Sequence, residues 1–204
     1  DHVDLYYMHH IDRHVTWPEM WGVMEVLVNS GKATYIASSN FAGHDLVRAQ
    51  WEADKRHFLG LVAEQHQYHL LSRLPELEVI PAARELGLGF VTYSPLAGGM
   101  LGENALKRLS GSRGENRHYS EAMIKTLTDF ADFCRELREK QSDVAMAWIL
   151  KNPVVTSPLI GPRTPEHLDN ILHALDVKLD DSAMKRLDEI FPGPGGEAPD
   201  SYAW

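Results

Sequence analysis

Five short apolar runs in this chain end in residues that could do chemistry: YYMHH, ASSN, EQHQ, TYSP and LIGP. Together these ends are rich in hydrogen-bonding groups and poor in negative charge, which suits an organic amide and a phosphate better than a metal ion. A nicotinamide ring is one ligand with such needs. It requires a flat aromatic face to lie against and a few neutral donors and acceptors to fix its carboxamide, because only a fixed ring face delivers hydride stereospecifically. Tyr93, Ser39, Asn40 and Gln65 are the right residue types for those roles, although spacing alone does not assign them.

The elements that must position these residues follow from periodicity and stop signals. Val3 to His9 is β-rich and too short for a helix, so it reads as a strand, followed by the polar loop IDRHVT. Thr16 with Glu19 three residues on forms a capping-box pattern; Met20, Met24, Leu27 and Val28 then recur at helical spacing until Gly31. The alternation repeats: ATYIASSN as a strand, about Gly43 to Lys55 as a helix, GLVAEQHQ as a strand, and ELEVIPAARELG as a helix closed by Gly87. GFVTYSP is a strand halted by Pro95, and Gly98 to about His118 has no period and reads as a long loop. FADFCRELREK and DVAMAWILK are helical, VVTSPLIGP is a fifth strand, and Thr164, Pro165 and Glu166 open a helix with Leu168, Leu172 and Leu175 on one face. DDSAMKRLDEI is the last amphipathic helix. Near-continuous apolar strands, each followed by a helix, define a parallel α/β fold. A doubly wound sheet and a (β/α)8 barrel are both compatible, and both place function at the C-terminal ends of the strands.

Composition sets the boundaries. The 204 residues, 44% of them hydrophobic, suffice for one domain with an ample core. With 20 Lys and Arg against 29 Asp and Glu, the net charge of -9 repels a phosphate backbone, so nucleic acid is not an expected partner. The single cysteine, Cys134, lies in a helical stretch and reads as a buried free thiol; a reducing, cytoplasmic compartment is expected. No apolar run is long enough for a membrane span, and the N-terminus has no signal-peptide pattern. Trp21, Trp51 and Trp148 fall in helical patterns and are expected to pack the barrel wall, with His10 and His14 facing solvent.

DLYYMHH, GKATYIASSNF, QHQYHLL, LGLGFVTYSPLAGGML and SPLIGPRTPEHLDN resemble successive landmarks of the aldo-keto reductases, in the right order, from Val3 to about Ile190. The resemblance implies an α/β fold of the (β/α)8 TIM-barrel type, present as a partial barrel of about five β/α units over residues 1–191, with a flexible tail at 192–204. It also implies reduction of aldehydes or ketones to alcohols by NADPH, with NADH possible, and no metal or flavin. The partner is then a small carbonyl substrate. By position, His9 matches the active-site histidine that orients and polarises the carbonyl, Ser39 and Asn40 the pair that holds the carboxamide, Gln65 the glutamine that completes that clamp, and Tyr93 the aromatic stacked on the ring. Ser94, Pro95, Leu96 and Gly98 fall in the loop along the pyrophosphate. Ile160, Gly161, Arg163, His167 and Asn170 fall in the segment that grips the adenosine end, at a helix start whose dipole favours phosphate. Arg163 is the natural partner of a 2′-phosphate.

Departures from the family pattern carry information too. His167 stands where the family often has Lys, Arg, Ser or Gln, which leaves NADPH against NADH open. Lys107 and Arg113 lie in the long loop where some members contact the pyrophosphate. The family's catalytic aspartate, tyrosine and lysine belong to three strands that precede Val3; the chain enters its first apolar run directly after Asp1, so those strands are expected upstream. Five units of eight leave two open parallel edges, and the chain alone is expected to be inactive and poorly stable.

Two other functions share these residues. One is a regulatory subunit that binds nicotinamide nucleotide as a redox sensor. The other is a metal-dependent barrel hydrolase, suggested by HHIDRH and QHQYH, but ASSN, TYSP and LIGP add no ligands to such a site. The bland alternatives are that Ser39 and Asn40 cap the next helix and that Tyr93 only packs. Tyr202 and Trp204 could fold over a substrate pocket, with terminal disorder the expected state.

Overall fold

A computed structural model describes residues 1–106 and 119–197. Lys107, Arg113, Tyr202 and Trp204 lie outside the described residues. The elements run β1 (Val3–Met8), α1 (Trp17–Asn29), β2 (Ala33–Ser39), α2 (Gly43–Asp54), β3 (Leu61–Gln67), α3 (Val79–Glu85), β4 (Gly89–Tyr93), α4 (Glu121–Leu137), α5 (Gln141–Lys151), β5 (Val155–Pro158), α6 (Pro165–Leu172) and α7 (Asp181–Ile190).

All strand pairs are parallel, and the sheet order is the chain order, β1-β2-β3-β4-β5. That order selects the winding. A doubly wound sheet reverses direction at a switch point, whereas here each new strand joins the same advancing edge, as in a (β/α) barrel. The fold is therefore a partial barrel of five β/α units.

Local chemistry explains the boundaries. Thr16 accepts a hydrogen bond from the Glu19 amide at 3.4 Å to start α1, and Ser120, Thr164 and Asp180 do the same for α4, α6 and α7. Helix α1 ends at Gly31, whose φ of 68° lets its own amide reach Val28 and the Lys32 amide reach Leu27. Gly87 closes α3 in the same backbone region.

In-register pairs sort the strand residues by face. Tyr7 lies opposite Ala37, Ser39 opposite Gln65, and Gln67 opposite Tyr93, so these share one face; Ser38, Glu64 and Phe90 share the other. On the second face Phe90 is fully buried, with the Tyr68 ring 6.3 Å from it and Trp148 of α5 5.0 Å from Tyr68. Trp21 is also fully buried and donates to the Ala49 carbonyl at 3.0 Å, tying α1 to α2. Cys134 is buried in α4 as a free thiol.

One expectation needs correction. Trp51 is not wall packing: it is 57% exposed, because the buried stripe of α2 runs through Leu46, Ala49 and Ala53, and Lys55 lies 3.3 Å over its ring. Leu168 and Leu172 of α6 and Leu175 in the short 3-10 turn after it are 40%, 50% and 63% exposed, since no described segment packs beyond β5 and α6. Arg84 pairs through both guanidinium nitrogens with Glu197, at 2.7 and 2.9 Å. At the opposite edge of the sheet, Val23 and Val26 of α1 and Val3 of β1 are also exposed.

Candidate cofactor site

The C-terminal ends of β1, β2, β3 and β4 bring four predicted residues together around Asn40. Its amide nitrogen donates to the His9 carbonyl at 3.2 Å and to Ser39 Oγ at 2.9 Å, and its Oδ1 accepts from the Tyr93 hydroxyl at 2.7 Å. Its backbone N–H donates to the Gln65 carbonyl at 3.0 Å. Asn40 adopts φ 60°, a left-handed conformation that asparagine tolerates better than most residues, and this turns its side chain back across the strand ends. The pair does not cap the next helix: the N-cap of α2 is Ala42, with no side-chain bond.

The expected contributions differ in kind. His9 offers its carbonyl to Asn40, while its ring is exposed and lies 4.2 Å from the His10 ring. Gln65 contributes its carbonyl to Asn40 and its side chain to the Tyr7 hydroxyl. Burial pushes the Tyr7 phenol up, a rise that the Gln65 bond opposes and the nearby Glu64 charge reinforces. Tyr7 therefore joins the site from β1, a residue that sequence reasoning passed over; its two-residue spacing from His9 is the signal that could have found it.

After Tyr93 the backbone turns sharply, with Ser94 and Gly98 at φ 55° and 64°. Pro95 is buried, and Leu96 lines a cavity of about 590 Å³. Gly161, Arg163, His167 and Asn170 line the same cavity from the β5–α6 side, whereas Ile160 is partly exposed and is not among its lining residues. The His167 amide is held by Thr164 Oγ1 at 3.2 Å, and Asn170 Oδ1 accepts from Lys140 Nζ at 3.4 Å. Arg163 is exposed and forms no ion pair among the described residues.

Lys140, Ser142 and Glu103 complete the cavity and were not anticipated. Glu103 accepts from both the amide and the hydroxyl of Ser142, at 3.1 and 2.8 Å, which anchors the first turn of α5. Burial pushes its carboxyl up, but hydrogen bonds from its own backbone and from Ser142, together with the Lys140 charge, hold it below its usual range. These residues come from the turn after β4 and from the start of α5, where no local sequence signal marks a contact so distant in the chain. Among the described residues, the group spaced to hold a metal is Glu139, Asp143 and His173, which draws on neither HHIDRH nor QHQYH.

The family model described as Aldo/keto reductase family matches residues 1–191. Among curated proteins, the chain is 55% identical to an uncharacterized oxidoreductase, YrpG, of Bacillus subtilis, covering 100% of this chain and 63% of that protein. It is 29% identical to the aldo-keto reductase AMT2 of Alternaria alternata, over 94% of this chain and 53% of the relative. The versiconal hemiacetal acetate reductase of Aspergillus parasiticus is also 29% identical, over 93% and 57%. This chain belongs to the aldo/keto reductase family. The chain spans between half and two-thirds of the length of these relatives. None of its described helices is long and apolar enough to cross a membrane.

Proposed function

We propose that this chain carries the nicotinamide-nucleotide-binding part of an NAD(P)H-dependent reductase that converts aldehyde or ketone carbonyls to alcohols. The observation that carries the reading is the convergence of His9, Ser39, Gln65 and Tyr93 on Asn40, joined through the turn at Ser94 to a cavity lined by Lys140 and Arg163. The groups present suit the cofactor. The strand ends supply neutral amide and hydroxyl partners, and the cavity supplies two cations and the amide-rich start of α6. The names of the curated relatives, an oxidoreductase and two reductases, agree with this chemistry.

When bound, the cofactor supplies the hydride. The task of the chain is placement. Tyr93 offers an aromatic face, and Ser39, Asn40 and Gln65 offer the donors and acceptors for the carboxamide. Asn40 exchanges a bond to His9, Ser39 or Tyr93 for one to the ligand, so the clamp is preorganised by groups of matching polarity. The residues from Ser94 to Gly98 run beside the pyrophosphate. Gly161, Arg163, His167 and Asn170, with Lys140, hold the adenosine end. The exposed His9 imidazole orients the substrate carbonyl.

Arg163, without an ion partner among the described residues, favours NADPH through its charge on the 2′-phosphate. Titrating the protein with NADPH and with NADH, followed by tryptophan fluorescence, tests both claims. Arg163→Ala should weaken NADPH by about 10- to 100-fold and leave NADH unchanged, the expected loss of a charge-assisted contact. Absence of saturable binding by the wild type overturns the cofactor reading.

A further inference from the structure

Glu64 is fully buried, and among the described residues the basic side chain beside it is the imidazole of His66, with no arginine or lysine in ion-pair reach. A carboxylate in that position carries a desolvation penalty that an apolar side chain would avoid, so its partners deserve a functional reading. Its Oε2 accepts from the Ser38 hydroxyl; its Oε1 accepts from the Phe41 amide at 3.0 Å and lies 3.0 Å from His66 Nδ1. Ser38 and Phe41 are themselves fully buried. One carboxylate therefore grips the chain on both sides of Ser39 and Asn40, from the face of the sheet opposite Ser39 and Gln65.

The grip acts on a left-handed turn. Asn40 sits at φ 60°, and its amide must span the gap between the His9 carbonyl and the Tyr93 hydroxyl. Holding Ser38 and Phe41 to a single carboxylate fixes both ends of that turn, and the next residue after Glu64 is Gln65, whose carbonyl accepts the Asn40 N–H. The strand that carries the carboxylate thus also carries the last partner of the clamp.

We propose that Glu64 is a positioning residue for nicotinamide: it touches no cofactor atom, but it sets the Ser39–Asn40 turn so that the carboxamide clamp faces the ring. The proposal rests on the cofactor reading above. Displacements of the order of an ångström in such groups are felt strongly in binding and turnover.

Two ligands separate this role from general stability. NADPH uses the whole site, whereas 2′,5′-ADP carries the adenosine and phosphates but no nicotinamide. Glu64→Leu, similar in bulk and without an acceptor, should weaken NADPH about tenfold and change 2′,5′-ADP by less than about twofold. Glu64→Gln keeps an oxygen for the Phe41 amide and should restore NADPH binding to within about threefold of wild type. If near-ultraviolet circular dichroism shows Glu64→Leu to be unfolded, Ser38→Ala decides by the same ratio, with a smaller selective loss of NADPH expected. Equal weakening of both ligands, or none, overturns the positioning role alone. Failure of the wild type to bind either ligand overturns the cofactor reading and this role with it.

Discussion

Replacing Arg73 by alanine should destabilise the fold by about 2–3 kcal/mol, and the value can be assembled from its contacts. The side chain is 13% exposed and donates four hydrogen bonds: two to Glu76 at 2.8 and 3.0 Å, one to Asp188 at 2.6 Å, and one to the Phe191 carbonyl at 2.8 Å. Its guanidinium also lies 5.1 Å over the Trp148 ring. Removal of one member of a buried ion pair generally costs about 3–5 kcal/mol. Two features reduce that figure. Asp188 is 54% exposed and regains water, and Glu76 keeps a hydrogen bond from the Tyr68 hydroxyl at 2.9 Å. For a chain of this size the loss lowers Tm by about 5–10 °C. Urea unfolding should give the same loss as a lower midpoint with an unchanged slope. Arg73→Lys should recover less than half, because an ammonium cannot fork between Glu76 oxygens while reaching Asp188. A change within about 0.5 kcal/mol for Arg73→Ala would refute the claim that Arg73 docks the end of α7 on the barrel wall.

Two further outcomes follow from buried titratable groups. His69 is 3% exposed, and burial depresses its pKa from 6.5 to about 4, so the folded state resists a proton that the unfolded chain accepts. Its contribution is therefore complete above about pH 6.5, falls as pH drops, and levels off below about 4; His69→Gln should flatten the dependence of the urea midpoint across that window, and an unchanged profile would count against the burial. Cys134 is buried and its thiol is pushed up to about 12, chiefly by desolvation, so Ellman's reagent should titrate it only after denaturant is added. Rapid labelling of the native protein would contradict its placement in α4.

Much of the fold was legible because its signals are local. Thr16, Gly31, Gly87 and Thr164 act within one helical turn, and each marks the boundary found in the structure. Burial was less legible. Trp51 has the composition of a core residue, yet the phase of α2 turns it outward, and the leucines of α6 form a proper stripe with no described element to cover them. Amphipathicity states which face seeks burial, not whether a partner is present.

The residue types of the site were likewise readable: Ser39, Asn40, Gln65 and Tyr93 stand at run ends, and the strand period places them there. Their partnerships were not. That Asn40 would bind His9 and Tyr93 at once depends on a left-handed turn and on strands 31 and 53 residues away in the chain. Lys140 and Glu103 enter the cavity by the same kind of distant meeting. Sequence alone determined the alternation of strands and helices and the chemistry waiting at the strand ends, because backbone preference and hydrophobic period act over a few residues. Only the tertiary structure decided the barrel winding, the exposed leucines and the grip of Glu64 on the Asn40 turn, because those are set by register and packing between segments far apart in the chain.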